Sequence, residues 1–130
     1  MKRVYLDNGS TSFPKAPGVS DAVKNFMDNV GTNVNRGGYE EAYAAEDIII
    51  ETREKLGKLF HFDKLRNVLF TTSITYSLNY IIKGYLRPGD HVLVSSMEHN
   101  AMMRPLQQVK QLGVEFDRIP CTRDGELMVD

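Results

Sequence analysis

Apolar side chains recur at helical spacing early in the chain, where Val19, Ala22, Val23, Phe26, Met27 and Val30 fall within a stretch opened by Pro17 and closed by Gly31. That spacing predicts an amphipathic helix over Pro17 to Val30. A Gly- and Asn-rich loop, GTNVNRGG, follows. Ala42, Ala45, Ile49, Thr52, Leu56 and Leu59 then mark the inward stripe of a second helix. Glu40 and Glu41 suit its positive end, and Lys55 and Lys58 its negative one.

After Lys64 the pattern changes to short apolar runs alternating with helical periods. NVLF (67–70) reads as a buried strand, and Ile74, Leu78, Ile81, Ile82 and Tyr85 mark one face of a helix. RPGD (87–90) is a turn before the strand HVLVS (91–95). A further helix runs from about Asn100 to Leu112, stopped by Gly113, and a strand lies around Val114 to Ile119. Strand, helix, strand, helix, strand predicts an α/β layer arrangement with a mostly parallel sheet. There is no internal repeat, low-complexity tract or interdomain linker. The chain ends at LMVD just after a DG turn signal, with neither closing helix nor polar tail, and is expected to be cut there rather than to terminate naturally.

Composition narrows the classes of function. With 130 residues, 42% hydrophobic and 25% charged, the chain can bury one core. Sixteen Lys plus Arg against 17 Asp plus Glu leave a net charge of −1, so neither nucleic acid nor a membrane surface is an expected partner. MKRVYLDNGS passes from two cations into polar residues without the apolar run of a secretory signal, and a cytoplasmic location is expected. Cys121 is the sole cysteine, and no Cys/His cluster has metal-ligand spacing, so no metal is expected.

Two junctions have the ingredients for chemistry. At Phe70 to Thr75 a predicted strand gives way to a helix through Thr71, Thr72 and Ser73, and free amides at a helix start joined by hydroxyls make a site for a phosphate group. Taken alone, the segment reads as a helix cap supplied by Thr72 or Ser73, a contribution of about 1 kcal/mol. At SSMEHN (95–100) a strand ends and a helix begins, which puts His99 on the edge where open α/β sheets bind ligands. A histidine there can stack on an aromatic ring or carry protons, but alone it reads as a capping or surface residue. His61 and His91 lie beside turns and read as structural. Neither GxGxxG nor GxxxxGK[ST] is present to support nucleotide binding.

FTTSITYSLN (70–79) and SMEHNAMMRP (96–105), together with YLDNGST (5–11) and NVNRGGY (33–39), resemble in order and spacing the landmarks of the class V aminotransferase superfamily, particularly its cysteine desulfurase and selenocysteine lyase branch. The resemblance covers nearly the whole chain. It implies the fold type I architecture of pyridoxal-phosphate enzymes: residues 1–15 as an arm joining a small domain, and 16–130 as the first, truncated part of the cofactor-binding large domain. It implies that Ser73, Ile74 and Thr75 anchor the pyridoxal 5'-phosphate phosphate group and that His99 stacks on the ring and assists proton transfers. Arg36 matches an arginine that reaches the partner's site in a homodimer, and Asn8 would line the substrate end. Each has a bland alternative: Thr75 a first-turn helix residue, Arg36 a solvated loop cation, Asn8 a turn former.

The resemblance further implies that the intact protein converts L-cysteine to alanine, passing sulfur as a persulfide to a cysteine thiolate and on to an acceptor protein. The rival readings are an aminotransferase or selenocysteine lyase-type enzyme acting on another amino acid, and a non-catalytic α/β interaction module. Where the family loop carries Gly, a small residue or Thr, then Thr and Glu, this chain has Ser73, Ile74, Thr75 and Tyr76. A glycine's close approach and a carboxylate are thereby lost. The family's Schiff-base lysine, its Asp beside the pyridine nitrogen and its sulfur-accepting Cys have no counterpart in this chain, so the chain alone is expected to be inactive. Cys121 and Lys83 do not match those positions. In this fold the first strand lies apart from the second and third, so 67–70 and 91–95 are expected not to pair, leaving strand edges and an apolar sheet face exposed.

Overall fold

The computed structural model describes residues 4–34 and 37–129. The chain divides into two compact units, Met1–Val68 and Leu69–Asp130.

In the first unit, α1 (Val19–Asn25) runs into a π-helical turn, Phe26–Val30, closed by Gly31 in the left-handed region at φ 44°. The helix starts two residues later than its apolar pattern predicts, because Gly18 at φ 84° cannot continue a right-handed turn. The predicted amphipathic helix forms, but its apolar face is not covered. No residue of α1 or the π turn is buried, and Val19, Val23 and Met27 are exposed. Among the described elements of its unit α1 packs only on the π turn that follows it, and that turn, rather than α1, meets α2.

The second helix, α2 (Glu40–Phe60), buries Ala42 and Ala45 and half-buries Ile49, Thr52 and Leu56, as the spacing predicts. Leu59 departs from the stripe at 68% exposure. Its place in the packing is taken by Gly57, where an added Cβ would come within 2.3 Å of Leu65 Cδ2 and 2.7 Å of Phe62 O. The chain can fold back this closely because His61 adopts φ 51° and the Phe62 N–H donates to Gly57 O at 2.8 Å. On the solvent face Lys55 Nζ meets Glu51 Oε1 at 2.7 Å, and that ammonium holds the Glu51 carboxyl below its ordinary value.

NVLF is not a strand. Leu65–Asn67 forms a 3-10 turn and Val68–Phe70 continues without ladder partners, with Leu69 at 77% exposure. A strand exists only through a neighbour's backbone ladder, and the ladder among the described residues joins 91–95 to 115–119; Val68 O instead accepts from the Arg53 side chain at 3.1 Å. As expected, it does not pair with 91–95.

The second unit is built from α3 (Ile74–Tyr85), β1 (His91–Ser95), α4 (Asn100–Lys110) and β2 (Glu115–Ile119). The two strands pair in parallel, His91 opposite Glu115 through Ser95 opposite Ile119. Asp90 closes the RPGD turn, its carboxylate accepting from Arg87 N–H at 2.7 Å while its own N–H donates to Arg87 O at 3.0 Å. Lys110 ends α4 two residues before the predicted stop, and the turn through Gly113 at φ 93° delivers the chain to β2.

Ile82 of α3, Val94 of β1, Met103, Leu106 and Val109 of α4, and Val114 form the buried cluster, with Leu78, Leu86, Val92, Met102 and Phe116 packed against it. Leu106 is fully buried. The other face of the ladder is bare, with Leu93 at 63% exposure. Leu106→Ala is therefore expected to lower unfolding free energy by about 3 kcal/mol in urea titration, while Leu69→Ala changes it by less than about 0.5 kcal/mol. A large loss at Leu69 would restore the buried-strand reading of NVLF.

Candidate functional site

Both junctions singled out in the sequence lie in the second unit. Before α3, Ser73 is extended at φ −167° and occupies the cap position, its Oγ accepting from Tyr76 N–H over a long 3.4 Å. The preceding loop is tied to the first turn by hydroxyls: Thr71 Oγ1 lies 2.6 Å from Ser77 Oγ and 3.0 Å from Ser73 O. Ser73, rather than Thr72, is thus the cap. The amides of Ile74 and Thr75 have no hydrogen-bond partner among the described residues, the orphan donors every helix start exposes. The Thr75 hydroxyl makes no hydrogen bond among the described residues, and Asn79 Nδ2 folds back onto Thr75 O at 2.9 Å.

The second junction follows β1. Ser95 Oγ donates to Glu98 Oε1 at 2.9 Å and accepts from Met97 N–H at 3.3 Å, which shapes the turn that presents His99. His99 caps α4, its Nδ1 accepting from Ala101 N–H at 3.1 Å. An Nδ1 that accepts carries no proton, so the hydrogen of the neutral ring is on Nε2. One turn further on, Pro105 has no N–H to give the Ala101 carbonyl, and the helical ladder skips a bond there.

Thr75 from the first helix start and His99 from the second line one pocket, whose lining does not include Ser73 or Ile74. Thr75 and Asn79 of α3 face His99, Asn100, Ala101, Arg104, Pro105 and Gln108 around a space of about 430 Å³. Its wall is mainly polar and has no carboxylate. Arg104 was not anticipated as a site residue, nor were Asn79 and Gln108. Lys83 lies along an adjoining groove of α3 that shares Thr75 and Asn79 with this pocket and is walled by Tyr76 and Tyr80, whose rings meet edge to face at 6.2 Å.

The remaining candidates lie elsewhere. Asn8 Oδ1 accepts from Phe13 N–H at 3.2 Å, so this side chain organises a turn in the first unit. Arg36 lies outside the described residues. Cys121 is half-buried in an antiparallel bridge with Leu127, and His91 Nε2 sits 2.9 Å from Asp117 Oδ2 across the ladder. Among the described residues no helix is long and apolar enough to cross a membrane.

Residues 4–130 match the model of the aminotransferase class-V family. The chain belongs to that family. A Halobacterium salinarum protein named a probable cysteine desulfurase is 33% identical over 132 residues, covering 98% of this chain and 32% of its own length. The apo structure of a cysteine desulfurase from Thermococcus onnurineus superposes with a TM-score of 0.82 at 24% identity, over 95% of this chain and 32% of that one. A structure of C-DES with glycine covalently linked to its PLP cofactor gives 0.56 at 17% identity, over 78% and 25%. The class-V chain described here therefore spans about a third of such relatives and has their α/β fold, as a partial domain.

Because His99 both caps α4 and lines the pocket, its two roles are separable. His99→Ala is expected to cost about 1 kcal/mol and to speed amide exchange at Ala101, whereas His99→Asn, which retains a capping acceptor, restores most of both. Equal loss in the two variants would show that the ring, not the cap, stabilises the helix start.

Proposed function

We propose that this chain is the cofactor-holding part of a pyridoxal-phosphate enzyme of the cysteine desulfurase type, acting on L-cysteine and handing sulfur to a thiol acceptor. The observation that carries the reading is the shared pocket: Thr75 and His99 come from different helices, 24 positions apart in the chain, and line one space with a polar wall. Pyridoxal phosphate would supply an electron sink for carbanionic chemistry at an amino-acid α-carbon.

The donors fit such a ligand. The unpartnered amides of Ile74 and Thr75 and the hydroxyls of Ser73 and Thr75 are the groups that bind a phosphate ester at a helix start. The imidazole of His99 supplies a flat face for an aromatic ring, held in orientation by the Ala101 amide, and Nε2 is the atom from which a proton would be given or recovered. Bulky Ile74 offers only its backbone N–H, which suffices for an oxyanion. Tyr76, where the family loop usually has a carboxylate, turns toward Tyr80 rather than supplying a charge.

In a homodimeric, cytoplasmic enzyme Arg36 would reach the partner's site and Asn8 would meet the substrate. Those assignments rest on motif resemblance, while those of Ser73, Ile74, Thr75 and His99 also have geometry behind them.

The test uses 4'-deoxypyridoxine 5'-phosphate, which lacks the aldehyde and so forms no imine with surface lysines. Calorimetric titration of the chain should show saturable binding that weakens at least tenfold in Thr75→Ala/His99→Ala and is lost with the dephosphorylated compound. Equal binding by wild type and the double variant would remove the site.

A further inference from the structure

On α4 the pocket-lining residues Asn100, Arg104 and Gln108 recur at intervals of four, so one polar helix face looks into the space that Thr75 and His99 share. Arg104 is the only permanently charged side chain on that wall. It makes no hydrogen bond or ion pair among the described residues, and no carboxylate lines the pocket to neutralise it. A guanidinium carries five donors in a planar fork and loses none of its charge at any physiological pH. Among the described residues its side chain has no counter-ion, and it shares the pocket with Thr75, whose own amide is unpartnered.

We infer that Arg104 is the charge partner of the phosphate ester in this pocket, an additional anchor that acts with the Thr75 turn from the opposite helix. The inference rests on the cofactor-holding role proposed above and adds to it a residue from outside the loop that resembles the family's. A phosphate monoester carries nearly two negative charges at neutral pH, more than two amides and two hydroxyls can offset. A fork-shaped cation supplies the rest through two parallel hydrogen bonds. Arg104 is also solvent-exposed, and its only demand on the fold is a helical backbone, so its replacement leaves the buried face of α4 intact.

The experiment titrates wild type, Arg104→Gln and Arg104→Lys with three probes: 4'-deoxypyridoxine 5'-phosphate, 4'-deoxypyridoxine and L-alanine. Amide NMR spectra of the variants check that the fold is kept. Arg104→Gln should weaken the phosphate ester at least tenfold and flatten the salt dependence of its binding. Arg104→Lys should fall between, since it keeps the charge and loses the fork, and the dephosphorylated ring should show no saturable binding to any of the three proteins. If the ester binds wild type and Arg104→Gln equally while Thr75→Ala/His99→Ala still weakens it, the Arg104 assignment is wrong and the cofactor site stands. If Arg104→Gln instead lowers affinity for L-alanine alone, the cation serves a carboxylate and the assignment is again overturned. Absence of any saturable ester binding by wild type would defeat the site itself, a result distinct from both.

Discussion

Leu106 is fully enclosed because α4 is wedged between the parallel ladder and α3, and this packing fixes where the two helix starts lie. A side chain of that size gains roughly 1.5–3 kcal/mol by leaving water, and its neighbours Met103 and Val109 extend the same stripe along α4. Once that face is seated against Val94, Val114 and Ile82, the opposite face of α4 has no choice but to present Asn100, Arg104 and Gln108 toward Thr75 and Asn79. Apolar burial thus places polar groups that never touch the core. The pocket is a by-product of which residues on α4 are greasy.

In the proposed function the same arrangement would make capping and recognition one act. Ser73 and His99 satisfy amides at the helix starts, and the amides they leave unsatisfied, with the hydroxyl and ring beside them, would serve a phosphorylated aromatic ligand. The bland and the functional readings of these residues are therefore compatible. A cap uses one atom of the side chain, leaving the Ser73 O–H and the far side of the imidazole for other work.

Some of this was legible in the sequence for definite reasons. HVLVS, the helix from Asn100 and the strand ending at Ile119 were readable because each is punctuated by turn chemistry, Asp90 and Gly113, and each finds its partner within forty residues. NVLF misled because apolarity announces a wish for burial without supplying the neighbour that grants it. Ser73, Thr75 and His99 stood out since they sit where one periodicity stops and another starts. Arg104 could not, for a polar residue on the outward side of a helix has the same spacing whether it meets a ligand cleft or bulk water. Gly57 was invisible for a related reason: its importance lies in the missing Cβ, and only the approach of Leu65 reveals it.

Among the described residues the ladder of β1 and β2 has no third strand at either rim, and Leu93 on one face is exposed. Its paired strands are close in the chain, His91 opposite Glu115, so it can condense early and quickly, ahead of any more distant pairing. From that moment until each rim meets a strand, another copy of the same rim is a competitor for the vacancy. Yield on refolding should therefore be governed by dilution more than by temperature, with the nascent layer behaving as a template that accepts whichever neighbour arrives first.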